Sequence, residues 1–66
     1  MTKELRKLRT DFDYTQSDLA ELLGLKQTSS YSRKENGKVA FSIEEVKKLK
    51  QIFKLSTEDV VKIFLN

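Results

Sequence analysis

The sequence contains no cysteine and no histidine. It can therefore form no disulfide, no zinc-finger site, no thiol nucleophile and no imidazole base, which removes most metal and hydrolytic chemistry. Proline is absent and the only glycines are Gly24 and Gly37, a composition that favours a compact, helix-rich chain over disorder. No apolar run approaches the roughly 20 residues that a membrane helix requires, and the opening Met1-Thr2-Lys3-Glu4 lacks an apolar signal region. A soluble, cytoplasmic protein with no membrane partner is expected. Nor does the charge single out a partner: 13 Lys and Arg against 10 Asp and Glu give +3, a mild lean toward anions. A length of 66 residues predicts one domain, residues 1–66, too small for a large cleft or a multi-layer sheet.

What is present is helical periodicity. Leu5, Leu8 and Phe12 recur at three and four residues, predicting a first helix from about Thr2 to Phe12, with Lys3, Arg6, Lys7 and Arg9 on its other faces. Asp13-Tyr14 reads as a short break. Thr15 and Asp18 form a capping box for a second helix carrying Leu19, Ala20, Leu22 and Leu23, which Gly24 ends by accepting a left-handed backbone. Leu25 is expected to tuck back into the core.

A third helix is expected to start between Gln27 and Ser29 and to stop near Asn36-Gly37. Its composition is poor for a helix: Thr28, Ser29, Ser30 and Ser32 have low propensity, and Tyr31 is the one large anchor. Propensity alone would make it a loop. After a connection in which Val39 or Phe41 can cover the core, Ser42 and Glu45 spell a second capping box. The helix that follows carries Ile43, Val46, Leu49, Ile52 and Phe53 as its apolar stripe. Leu55 closes that turn. Ser56 and Asp59 cap a last helix containing Val60, Val61, Ile63, Phe64 and Leu65. The expected fold is all-α, with five helices joined by short loops.

The run Thr15-Gln16-Ser17-Asp18-Leu19-Ala20-Glu21-Leu22-Leu23-Gly24, followed by Tyr31-Ser32-Arg33-Lys34-Glu35-Asn36-Gly37-Lys38, resembles the helix-turn-helix of the Cro and phage-repressor family. The starts Ser42-Ile43-Glu44-Glu45 and Leu55-Ser56-Thr57-Glu58-Asp59 extend the likeness to the family's fourth and fifth helices, over nearly the whole chain. The resemblance implies a lambda-repressor-like domain whose third helix enters the major groove of double-stranded DNA. It also implies a bacterial or phage-infected cell as the setting. Two departures stand out. Counting back from Glu35-Asn36-Gly37 puts the family's third-helix cap at Gln27, so Leu25-Lys26 carries one extra residue. Lys34 stands where relatives bury an apolar side chain, and its methylenes are suited to cover the core while its charge reaches solvent or phosphate.

A groove-entering helix needs outward residues that are small or able to hydrogen-bond base edges, which Thr28, Ser29, Ser32 and Arg33 are. The resemblance assigns base contact to Thr28, Ser29 and Arg33, and the Arg33 fork matches guanine O6 and N7. The competing fate of Arg33 is pairing with a nearby acid. Tyr31 is expected in the core, and Glu35, which would repel phosphate, is expected to pair with a basic residue of the first helix. Gln16, at the position that relatives use for phosphate, leads the backbone-contacting candidates, followed by Lys26, Gln27, Lys34, Asn36 and Lys38.

The last helix has more apolar residues than one core stripe needs. Val60, Val61, Ile63, Phe64 and Leu65 are therefore candidates for a homodimer interface, weak without DNA and serving an operator of two half-sites; wrapping into the chain's own core is the other use of the same residues. Without an effector domain, repression by operator occupancy is the simplest mode. The alternative is a protein-interaction module on the same fold, such as an antitoxin or anti-repressor. Asp11 with Asp13, or Glu44 with Glu45, are adjacent acids of the capping kind, and no nucleophile and base or glycine-rich phosphate loop accompanies them. No enzyme, metal or cofactor is expected.

Overall fold

The computed structural model describes residues 2–65; Met1, part of the polar opening, lies outside them. Five helices follow in order: α1 (Thr2–Asp11), α2 (Gln16–Leu22), α3 (Thr28–Glu35), α4 (Ile43–Ile52) and α5 (Thr57–Phe64). No strand occurs among the described residues. Three helices start with the expected capping boxes, Thr15 with Asp18, Ser42 with Glu45 and Ser56 with Asp59, each satisfying two backbone N–H groups reciprocally. The N-cap of α3 is Gln27, where the count from Glu35 puts it, but Gln27 makes no side-chain capping bond.

Four helices end alike. The N–H groups of Tyr14, Leu25, Lys38 and Leu55 donate back to the carbonyls of Arg9, Ala20, Arg33 and Lys50 at 2.8–2.9 Å, while the preceding residue takes a positive φ. That residue is Gly24 (φ 76°) and Gly37 (φ 81°) in two cases, and Asp13 (φ 60°) and Lys54 (φ 54°) in the other two. Tyr14, Leu25 and Leu55 pack against the core just after these turns, and that burial helps to offset the left-handed backbone at Asp13 and Lys54.

The core consists of Leu5, Leu19, Ala20, Leu23, Tyr31, Leu49, Phe53 and Ile63, each large side chain contributing about 1.5–3 kcal/mol by burial. Phe12 and Tyr14 meet the Phe53 ring edge-on at 5.2 and 6.1 Å. Of the two connection residues, Phe41 is the one that covers the core, between Tyr31 (6.2 Å) and Phe64 (5.7 Å); Val39 is 44% exposed. Ile43 departs from its expected place in the α4 stripe, being 75% exposed. A spacing of three falls short of a full turn by roughly 60° each time, so a stripe centred on Leu49 has drifted away from the core two steps earlier. Leu22, at 47% exposed, is likewise outside the core.

Candidate nucleic-acid interface

α3 is a helix despite its propensity because its inner face is fixed on both sides. Tyr31 and Glu35, one turn apart, are both buried. The Tyr31 hydroxyl donates to Glu35 Oε1 at 3.1 Å. Arg9 of α1 donates to both Glu35 oxygens, Nε at 2.7 Å and Nη2 at 3.4 Å, and its Nη1 also reaches the Tyr14 carbonyl. Gln16 of α2 donates to Glu35 Oε2 at 2.9 Å. One carboxylate thus ties the third helix to the first two. Burial alone would push the Glu35 carboxyl up, but the bonds from Arg9, Gln16 and Tyr31 together hold it below the ordinary carboxylate value. Burial and the neighbouring Glu35 charge push the Tyr31 phenol well above its usual range.

The expected basic partner of Glu35 is therefore Arg9. A signal for it was available: Arg9 lies one turn beyond Leu5, beside the apolar stripe rather than opposite it. Arg6 is a second residue that the sequence left undistinguished on the outer face of α1. Its Nη2 donates to Asn36 Oδ1 at 3.2 Å, and its Nε lies 3.8 Å from Glu35 Oε2.

With Tyr31 and Glu35 inward, Thr28, Ser29 and Arg33 are exposed and Ser32 is half-buried. These four side chains leave α3 within an arc of roughly 140° at 100° per residue. The Ser29 hydroxyl reaches the Gln27 side chain at 3.4 Å, and the Ser32 hydroxyl accepts weakly from the Asn36 amide at 3.5 Å. Among the described residues, no acid lies within ion-pair distance of Arg33. Lys26 and Gln27 are exposed just before this helix, with Asn36 and Lys38 exposed just after it, and Gln16 is half-buried at the start of α2.

Lys34 is turned elsewhere. Its side chain is 15% exposed, and its ammonium donates to Glu45 Oε1 at 2.6 Å and, less closely, to the Ala40 carbonyl. The ammonium also lies 5.9 Å from the centre of the Phe41 ring. The side chain is largely covered, but its charge reaches a carboxylate of α4. Burial would raise the Glu45 carboxyl, but the Lys34 bond and charge and the bonds with Ser42 together hold it below the ordinary carboxylate value.

α5 divides its apolar residues among three faces. Ile63 is 8% exposed within the core, a correction to its inclusion in a dimer surface. Val60 and Phe64 line a groove of about 460 Å³ with Ala40, Phe41, Ile43, Val46, Lys47 and Leu65. Val61 and Leu65 are 47% and 76% exposed.

A short helix packed on the preceding one across a tight glycine turn, with its polar side outward, defines a helix-turn-helix DNA-binding domain. A family model described as helix-turn-helix matches residues 5–60, and the chain belongs to that family, which is of the Cro and phage-repressor type. It is a DNA-binding regulator by that membership. No curated protein and no solved structure shows a significant match to the chain.

Proposed function

We propose that residues 1–66 act as one sequence-specific domain, a repressor that excludes other proteins by occupying its operator. α3 lies in the major groove with Thr28, Ser29, Ser32 and Arg33 toward base edges. Gln16, Lys26, Gln27, Asn36 and Lys38 contact the phosphate backbone and set the register. The observation that carries this reading is the exposed Arg33 with no acid beside it, one turn from the exposed Ser29 on the side of α3 away from Tyr31 and Glu35. A guanidinium left without a counterion next to small hydroxyl side chains suits a guanine edge better than it suits a surface ion pair.

One such domain covers one half-site, so two copies on a twofold axis bind half-sites about 34–36 Å apart. Val60, Val61, Phe64 and Leu65 form the contact between copies, supported by the groove beside α5 and the exposure of Leu65 and Ile43 at its rim. This contact is weak until DNA brings the copies together.

Selection from a random duplex pool with purified protein at fixed salt tests the reading. Enrichment of a site with two half-sites is expected, with affinity falling steeply as salt rises. Failure to enrich any sequence, or binding that ignores salt, overturns it in favour of a protein partner.

A further inference from the structure

The polar cluster around Glu35 holds one more guanidinium than its carboxylate engages closely. Arg9 is 14% exposed and closes on both carboxylate oxygens, so this pair is electrically complete. Arg6, nearly one turn earlier on α1, only grazes the carboxylate at 3.8 Å and is 55% exposed. Its charge is therefore surplus to the cluster. An exposed arginine ordinarily swings through many rotamers, which makes any contact it gives costly in entropy. Here Asn36 Oδ1 accepts from Nη2 at 3.2 Å and holds the fork in place. The remaining guanidinium N–H groups stay available to an acceptor.

Two amides adjoin it. Glu35 takes one N–H of the Gln16 side chain, and each amide nitrogen carries two. Asn36 accepts from Arg6 with its oxygen, while its nitrogen has only the long contact to Ser32 at 3.5 Å. Gln16, Arg6 and Asn36 belong to three different segments, and each touches Glu35 or a neighbour held by Glu35. Donors converge there around two guanidiniums that share one carboxylate, which leaves a net positive charge, an arrangement that recognises a phosphodiester.

We infer that Arg6 is a phosphate-binding residue which forms, with Gln16 and Asn36, a single anion site organised by the buried Glu35. The inference deepens the DNA-binding reading above and rests on it. It assigns to α1 a direct part in holding DNA, and to Glu35 a positioning role for three donors besides its part in the fold.

The test is the salt dependence of binding to random-sequence duplex DNA, since phosphate contacts persist without a preferred site. Arg6→Gln is expected to lower the slope of log affinity against log salt by about 0.9 with a melting temperature close to that of the unmodified chain. Arg6→Lys keeps the slope but loses part of the affinity, because the charge stays and the fork goes. Lys62→Gln, which removes the same charge beside the groove between α1 and α5, leaves the slope unchanged. In the unmodified chain, the Arg6 Nε–H resonance shifts on addition of duplex, which reports on the contact without any substitution. Equal slopes for Arg6→Gln and Lys62→Gln, or an unmoved Arg6 resonance while α3 amides respond, overturn the assignment and leave the DNA-binding reading standing. Unmodified protein that fails to bind duplex at low salt removes both.

Discussion

Replacing Glu35 by leucine is the perturbation with the largest expected effect. The substitution leaves the Arg9 guanidinium, 14% exposed, without its counterion, and takes the acceptor from the buried Tyr31 hydroxyl and from Gln16. Removing one partner of a buried ion pair costs about 3–5 kcal/mol. A chain of 66 residues has a total stability on the order of 3–10 kcal/mol at ordinary values per residue. Glu35→Leu is therefore expected to remove a large fraction of the total stability at near-neutral pH. Combining it with Arg9→Met and Tyr31→Phe removes the two most buried stranded groups together and leaves the half-buried Gln16 amide to reach solvent. Replacing a whole buried ion pair by packed apolar groups is often neutral, so the triple variant should lie within about 2 kcal/mol of the unmodified chain. Urea unfolding of the single and triple variants, with the slope checked for constancy, measures this. A Glu35→Leu loss below about 1 kcal/mol, or a triple variant less stable than the single, would refute the account of how α3 is held.

Glu35 and Glu45 are both held below the ordinary carboxyl value of 4.5. Their contribution to stability is thus full above that value and lost as pH falls through the lower folded values. Acid unfolding should begin below about pH 4.5, and Glu45→Gln should flatten part of the decline; an unchanged pH profile for that variant would contradict the role given to the Lys34–Glu45 pair. Gly24→Ala introduces a methyl that meets nothing within 4 Å at φ 76°. Its cost is therefore the left-handed backbone alone, about 1 kcal/mol after the unfolded-state gain, and a much larger loss in urea would indicate a hidden packing role. Leu65→Lys should leave the melting temperature unchanged, because the residue is 76% exposed. It should also abolish cooperative filling of paired half-sites while single half-site affinity persists; retained cooperativity in gel-shift titrations would move the dimer contact elsewhere.

Five helices were legible because the signals for their ends are local. Three capping boxes and two glycines mark boundaries whatever the tertiary context. The turns at Asp13 and Lys54 carry no comparable signal, since their positive φ is offset by the packing of the half-buried Tyr14 and Leu55 against the core. The candidate site was half legible. That Ser29 and Arg33 face outward follows from the placement of Tyr31 and Glu35 one turn apart and was readable from spacing, whereas Thr28 lies on the Tyr31 and Glu35 face by spacing and is exposed at the first position of the helix. Which basic residue meets Glu35, and where the Lys34 ammonium goes, depend on how α1 and α4 pack against α3, and no single helix records that. Ile43 and Ile63 show the same limit from the other side. Both are large aliphatic residues in apolar stripes, yet their angular position about the helix axis puts one on the surface and the other in the core.

The central claim is that Arg33 reads a base from the exposed side of α3. It is tested by comparing the affinity of Arg33→Ala and the unmodified chain for the selected duplex and for random duplex at one salt concentration. The preference for the selected site should fall by about 1–3 kcal/mol in the variant, with binding to random DNA reduced far less. Equal weakening on both duplexes would show that Arg33 touches only the backbone, and would contradict the claim.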